Sequence, residues 1–457
     1  MTFRLSNAKT YLTLLLLLAL AATGLSAAEP LRVATLPAAP PGLANDLVGA
    51  YIQKTQQPTV VVTCAGFNDI EAGLKAGCFD VVLGTCPGSS KVLQERGLLV
   101  PESDTILYHY RRSMILPPGN PKGIFQVSDL DREGVRVGLC TRHAPGALVE
   151  KLKQTATVLS PDQDLLLDLL EESRLDVVVG LDACGRARPQ LVTIRLPRSV
   201  AGEGAVIPGH SFVVTGTSHK DEAEAFLAFC DTSNEARDVM LRRSLMLGDG
   251  SHAGSYKGAA HRMMPAYQSI ARQIKLDYAK GCGNCLDLGC GTGEMTVEVA
   301  KETGLATTGL DIEPEALEFA AQYASECGLG ERMRWVAADV HSLPFPDGSF
   351  DLVISRGSIF FWRDQATALR EVMRVLRPGG YAFIGGGSGR FLSKEDWDKI
   401  HPGVDPATNA KTVFNFPFPL DNVPALMARA GISDYRHLTE GGTWIEFRRP
   451  AAVAKAG

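Results

Sequence analysis

At 457 residues the chain is too long for one ordinary domain, and at ~150 residues per domain it holds two or three. Hydrophobic residues make up 45% and charged residues 21%, a globular composition with ample material for cores. The formal charge of −5 is mild and speaks against nucleic acid or an anionic membrane surface as a partner.

Residues 1–28 differ in kind from the rest. Arg4 and Lys9 precede an apolar run that begins at Tyr11 and ends in Ser26-Ala27-Ala28 before Glu29-Pro30. That order of charged, apolar and small residues is that of a secretory signal peptide, with cleavage after Ala28 and the body of the protein outside the cytoplasm. No cysteine follows the run, which disfavours a lipid anchor. An uncleaved membrane anchor stays open as an alternative, because the run is near the lower limit for a spanning helix. Ten cysteines in an exported chain lead to the expectation of some disulfide pairing, whose connectivity the sequence does not give.

Leu31–Leu36 reads as a strand, and Leu43, Leu47, Ala50 and Tyr51 then share one helical face. A second strand, Thr59–Thr63, leads into Cys64-Ala65-Gly66 and another helix, followed by Phe79–Leu83 and Gly84-Thr85-Cys86. Strands alternating with helices make an α/β fold with a parallel, doubly wound sheet, whose ligands sit beyond the carboxyl ends of the strands. Ile106–Pro117 reads as a crossing segment between two lobes, and Gly134–Cys140 as a strand opening onto residues 141–146 and a helix. Leu175–Asp182 is another buried strand, and Ser218 caps a helix with Phe226 and Phe229 on its apolar face.

These pieces resemble the type II periplasmic solute-binding proteins, most closely their molybdate-binding branch. The residues that carry the resemblance are Ala34-Thr35, Cys64-Ala65-Gly66, Asp80–Gly84, Pro145-Gly146, Asp176–Gly180 and His219–Phe226. It implies a two-lobed periplasmic-binding-protein fold over residues 29–247, a small-molecule or ion ligand, and a transporter membrane component as partner. In that family hydroxyls and main-chain N–H groups at strand ends hold a tetrahedral oxyanion. Carried over by position, Thr35 is the first hydroxyl, Ala65 stands where a second is usual, and Ala144 to Gly146 supply N–H groups. Leu181 falls near a place that often holds tyrosine, so this sequence departs from the pattern there and at Ala65. The residues add a reading of their own, since Cys64, Cys86, Cys140 and Cys184 each follow an expected strand. Four thiols in one cleft would bind a soft ion such as arsenite, mercury or copper(I). Disulfides or ordinary small buried residues are the alternative.

Gly248–Ser255 is a glycine- and serine-rich linker, and residues 256–457 form a further domain. Cys282 and Cys285 make a lone Cys-x-x-Cys, a weak metal signal without a second pair, and no resident metal is expected. An apolar strand runs through Asp287 into Gly289, Cys290, Gly291 and Gly293. Glycine there lets the backbone turn sharply and approach a ligand, leaving N–H groups at the next helix start to face it. The strand Ala306–Leu310 ends at Asp311, where an acidic side chain can accept both hydroxyls of a ribose. The third strand, Met333–Ala338, ends at Asp339, which can receive the amino group of an adenine. The fourth is Phe350–Ser355, and a helix carrying Leu369, Val372 and Met373 stops at Arg377–Gly380 before the strand Tyr381–Ile384.

Leu286–Gly293, Gly309–Asp311, Ala338–Pro344, Phe350–Ile354 and Leu376–Gly380 together resemble the class I S-adenosylmethionine-dependent methyltransferases, in the family's order and spacing. The resemblance implies a Rossmann-like doubly wound sheet with S-adenosylmethionine as cofactor. Asp287, Gly289, Cys290, Gly291 and Gly293 would hold its amino-acid part, Asp311 and Ile312 its ribose, and Asp339 and Val340 its adenine. The acceptor would lie over the end of the fourth strand, where Arg356, Ser358, Phe360, Phe361 and Trp362 cluster, with core packing as the other reading of the aromatics. NAD is the competing cofactor, but its fingerprint usually has glycine or alanine where this chain has Glu294.

Methyl transfer from a sulfonium is an in-line displacement, so the protein's task is to hold the nucleophile in line and desolvate it. Arg356 and His341 are the candidate catalytic groups, His341 serving as base for an oxygen or nitrogen acceptor or else lying in a solvent-facing loop. Two functions remain open. One is a methyltransferase acting on a small or thiophilic acceptor captured by the N-terminal domain. The other is a solute receptor whose methyltransferase-like domain only senses or docks. A monomer is expected, and the leader would export both domains although the donor is made in the cytoplasm.

Overall fold

The computed structural model describes residues 29–35, 42–64, 66–141, 146–182, 185, 188, 190–242, 262–278, 283–400 and 419–451. The leader, the 248–255 linker, Ala65, Ala144, Cys184 and Cys282 lie outside the described residues. Contacts divide the chain into two units, one of residues 1–113, 137–188 and 198–249, the other of residues 114–136, 189–197 and 250–457. Packing therefore does not follow a single cut at the linker, because two stretches of the N-terminal half of the sequence bury their side chains in the second unit. Phe125, for example, stacks on Phe345 with ring centroids 5.7 Å apart, and the Arg334 guanidinium lies 4.6 Å over the Phe125 ring.

The first sheet contains β1 (Leu31–Thr35), β2 (Thr59–Thr63), β3 (Val81–Thr85), β4 (Thr105–Leu116), β5 (Val137–Cys140), β6 (Val158–Ser160), β7 (Val177–Leu181), β8 (Val192–Arg195) and β9 (Val206–Val213). Their order is β2-β1-β3-β9-β4-β7-β5-β6, with β8 beside β4. β1 pairs in parallel with β2 and β3, and β5 with β6 and β7. β9 runs antiparallel to both β3 and β4, so the sheet is mixed rather than wholly parallel and the expected crossing segment is itself a long strand. Along β3, Val81 and Leu83 enter one apolar cluster and Val82 another, as the two-residue period of a strand covered on both faces requires. Tyr51 closes the first cluster, meeting Phe226 and Phe229 edge-on at 5.1 and 5.2 Å.

Asp80, at the foot of β3, is fully buried and takes a bidentate bond from Arg32 at 2.7 and 2.9 Å, which accounts for an aspartate in an otherwise apolar run. Its Oδ1 also accepts from Thr217 Oγ1 at 2.6 Å, and the same hydroxyl receives His219 N at 3.1 Å. The helix Lys220–Thr232 has His219 at its cap position without a side-chain bond, so the capping expected of Ser218 is not made. The eight described cysteines are free thiols, and the expected disulfide pairing is absent among the described residues.

The second sheet contains β10 (Asn284–Leu288), β11 (Ala306–Asp311), β12 (Met333–Ala337), β13 (Phe350–Arg356), β14 (Leu376–Gly387), β15 (Tyr435–Leu438) and β16 (Gly442–Arg448). Their order is β12-β11-β10-β13-β14-β16-β15. The first five are parallel, and β16 is antiparallel to β14 and β15. From β10 the strand order runs outward in both directions, which puts the crevice for a ligand at the carboxyl ends of β10 and β13. Ile270 and Ile274 of the helix Met264–Asp277 pack with Cys285, Leu352, Phe383 and Trp444, the last two stacked at 4.3 Å. That helix thus covers the sheet beside the crevice.

Candidate functional site

The glycine loop after β10 has positive φ at Gly289 (67°), Gly291 (54°) and Gly293 (86°). A Cβ on Gly289 would stand 2.1 Å from Ser358 Cβ, whereas one on Gly291 would meet nothing within 4 Å. Gly289 is therefore fixed by packing against the end of β13. Gly291 is fixed by its backbone conformation beside open space, the arrangement a close-lying ligand needs. Its N–H donates to Asp311 Oδ2 at 2.8 Å.

Asp287 is 1% exposed. One carboxylate oxygen accepts from Thr296 Oγ1 at 2.7 Å, and the other, Oδ1, is buried with no hydrogen-bond partner. Burial pushes its carboxyl up to about 7, opposed by the Thr296 bond and assisted by the charge of Asp311. A buried acceptor left without a donor costs about 1–3 kcal/mol, and a cationic group placed there would recover that cost. Asp311 closes β11 and also accepts from Glu313 N at 3.0 Å. Burial raises its carboxyl, with the N–H groups of Glu313, Gly291 and Ile312 and the charge of Arg195 pulling the other way.

Asp339 follows β12 and is the most heavily compensated of the three. Its Oδ1 accepts from His341 N at 2.9 Å and pairs with His341 Nδ1, and its Oδ2 accepts from Arg363 Nη1 at 3.0 Å. Burial works to raise this carboxyl, yet the His341 bonds and the Arg363 charge hold it well below the usual carboxylate range. His341 occupies Oδ1 twice, and Oδ2 keeps a lone pair for an amino group. His341 Nε2 accepts from Asp364 N at 3.2 Å, which leaves Nδ1 as the ring nitrogen facing Asp339. Both ring nitrogens are engaged in these bonds.

Arg356 ends β13. Its Nε donates to Gly387 O at 3.0 Å and its guanidinium lies 5.3 Å over the Tyr267 ring. Burial lowers its pKa, with Tyr267 acting in the opposite sense. Burial likewise raises the Tyr267 phenol, on which Arg356 and Asp287 both act electrostatically, so a cation, a phenol and the unpaired carboxylate gather at one end of the sheet. Tyr267 was not legible as a site residue, because it lies before the glycine loop on a helix whose apolar period reads as core. Ser358 Oγ bonds Leu288 O at 2.8 Å and receives Trp362 Nε1 at 3.1 Å. Trp362 is accordingly a buried brace for the loop, while Phe361 is 61% exposed. Cys290, Ile312 and Val340 are half-buried beside the loops that carry them, and burial pushes the Cys290 thiol well up.

In the first unit Thr35 is buried at the end of β1 and its carbonyl accepts from Cys64 N at 3.0 Å. Cys64 lies in the apolar cluster of Ile70 and Phe79, and Cys86 in that of Leu43 and Phe226. The structure does not bring these two thiols together, and no group of three or more metal-binding side chains occurs among the described residues. Burial pushes Cys64 up to about 12. Cys140 is fully buried at the end of β5, and Gly146 stands at the cap of the helix Ala147–Leu152 in extended conformation without a side-chain bond. Sequence reasoning passed over Arg111 and Arg112, both fully buried in β4; Arg111 N donates to Asp182 Oδ1 at 3.0 Å.

The methyltransferase domain family matches residues 286–384, from β10 to β14, and the bacterial extracellular solute-binding protein family matches residues 31–243. Norajmaline N-methyltransferase of Rauvolfia serpentina is 35% identical over 145 residues, 29% of this chain and 49% of that protein. The methyltransferase GfsG of Streptomyces halstedii is 31% identical over 216 residues, 46% of this chain and 73% of that protein. The chain thus spans about half the length of the first relative and 73% of the second. The periplasmic molybdate-binding protein of Azotobacter vinelandii is similar at 16% identity over 48% of this chain and 100% of that one, with a TM-score of 0.39.

Proposed function

We propose that this chain, which belongs to the S-adenosylmethionine-dependent methyltransferase family through its C-terminal half, transfers a methyl group to a small-molecule acceptor. The observation that carries the reading is the buried, unpaired Oδ1 of Asp287 beside a glycine loop with open space over Gly291. Bound there, S-adenosylmethionine supplies a methyl group activated by the positive charge of its sulfonium. Asp287 holds the ammonium of the donor's amino-acid part against the loop of Gly289, Cys290, Gly291 and Gly293. Asp311, next to Ile312, accepts from the ribose hydroxyls, and Asp339, next to Val340, accepts from the adenine amino group. Arg356 and Tyr267 stand on the acceptor side, where a buried cation over a ring orients an electron-rich group and excludes water from it.

The solute-binding half supports a division of labour in which the first unit captures a small molecule or ion and the second methylates it. The extracellular solute-binding match supports a place outside the cytoplasm for that half, and fractionation of a C-terminally tagged protein tests it, a tag found only with cytoplasmic markers overturning it. Titration calorimetry of the full chain tests the donor site. Binding of S-adenosylmethionine is expected, and its absence would leave a solute receptor with a non-catalytic second domain.

A further inference from the structure

We infer that Arg195 is a positioning residue for the ribose side of the donor site, supplied by a strand that the sequence places inside the other half of the chain. The inference rests on the methyltransferase reading above. Residues 189–197 belong to the second unit by contact, although they fall within the 31–243 solute-binding match. The stretch is pinned at three places. Ser342 Oγ donates to Leu191 O at 3.1 Å. Ile194 forms an antiparallel bridge with Ala338. Arg195 Nη1 donates to Ile312 O at 3.1 Å and lies 3.8 Å from Glu313 Oε1.

Each anchor falls on a loop that the donor would touch. Ile312 and Glu313 follow Asp311 directly, Ala338 precedes Asp339, and Ser342 follows His341, which itself holds Asp339. Asp311 Oδ1 accepts from Glu313 N at 3.0 Å, a local turn that sets the direction of the carboxylate. A guanidinium that fixes the carbonyl of Ile312 and faces the carboxylate of Glu313 holds both ends of that turn. The Arg195 side chain is only 5% exposed, so its bonds are not weakened by solvent in the way those of a surface arginine are. Its charge also favours the ionised form of Asp311, the form that accepts two hydroxyls. The consequence is specific. Without Arg195 the site should lose its grip on the ribose diol and keep its grip on the adenine and the amino-acid part.

The test uses the full chain as wild type, Arg195→Ala and Arg195→Lys. Each is titrated with S-adenosylhomocysteine and with the analogue lacking both ribose hydroxyls. Arg195→Ala is expected to weaken S-adenosylhomocysteine about tenfold, the size of one lost charge-assisted bond. It should weaken the dideoxy analogue less than about twofold, since that ligand offers Asp311 nothing. Arg195→Lys, which keeps the charge without the planar fork, should restore part of the discrimination. If Arg195→Ala does not fold, the same two-ligand comparison on Arg195→Lys decides. Equal losses for both ligands would reduce Arg195 to a structural role, and no loss for either would remove it from the site; both results overturn the inference. A wild-type chain that fails to bind S-adenosylhomocysteine overturns the donor site itself, and the inference with it.

Discussion

Replacing Asp287 with asparagine should make the second unit more stable and the donor site worse. The Asp287 carboxyl is raised from 3.8 to about 7, chiefly by burial. A folded pKa above the unfolded value means that between those limits the native state binds a proton that the unfolded chain has released. Stability therefore falls as pH rises through that window and is flat above it. At about 1.4 kcal/mol per unit, the ionised carboxylate opposes folding by on the order of 4 kcal/mol at pH 8. Asparagine keeps an oxygen for Thr296 Oγ1 and cannot ionise, so Asp287→Asn should equal the wild type near pH 4 and exceed it increasingly up to pH 7. All four tryptophans, Trp335, Trp362, Trp397 and Trp444, lie in the second unit, so urea unfolding followed by tryptophan fluorescence reads that unit alone. Donor binding should move in the opposite direction. In the wild type it should strengthen with pH towards about 7 as the carboxylate ionises, and in the variant it should be weak and insensitive to that group. Stability curves that run parallel across pH, or a variant that binds the donor as tightly as the wild type, would refute the reasoning.

Gly289→Ala forces a Cβ to 2.1 Å from Ser358 Cβ at a φ of 67°; it should cost at least ~2 kcal/mol in the same unfolding assay and abolish donor binding. His341→Ala should weaken donor binding through Asp339 and leave the pH profile of kcat unchanged, whereas loss of the acidic limb of that profile would make His341 a general base. Cys64, pushed up to about 12 by burial, should resist thiol reagents at pH 8 in the native state with or without arsenite; rapid labelling that arsenite suppresses would revive the soft-ion site.

Much of the second sheet was legible because three of its parallel strands carry an aspartate at or just beyond their carboxyl ends. Asp287, Asp311 and Asp339 mark successive strands, and Gly289 marks a contact with Ser358 that only glycine allows. In the first unit, valine-rich strands gave the alternation but not the direction of β4. A strand's orientation is set by its partner, and β9 lies about a hundred residues farther along the sequence, beyond the reach of any local pattern. Two of the four thiols expected in one cleft, Cys64 and Cys86, lie apart for a related reason. Position at a strand end fixes how far along the sheet a side chain lies, while the following turn decides which face it enters, and Cys64 and Cys86 entered different clusters. Arg195 left no trace because its partners, Ile312 and Glu313, are reached only through the fold.

The three aspartates of the proposed donor site also differ in electrostatic state, and the order of those states discriminates between cofactors. Asp339 is compensated by His341 and Arg363, and Asp311 is raised but bonded by main-chain N–H groups. Asp287 alone is buried with an unpaired oxygen. A dinucleotide would bring its pyrophosphate, two negative charges, to the glycine loop after β10. There an uncompensated carboxylate at close range would repel it, with little water to screen the charge. A methionine tail brings an ammonium to the same place and compensates that carboxylate. Glu294 points the same way from the sequence, standing at the first turn of the helix where a dinucleotide fingerprint has a small residue. A glycine loop alone admits either cofactor. The unsatisfied oxygen of Asp287 behind it selects the cationic one.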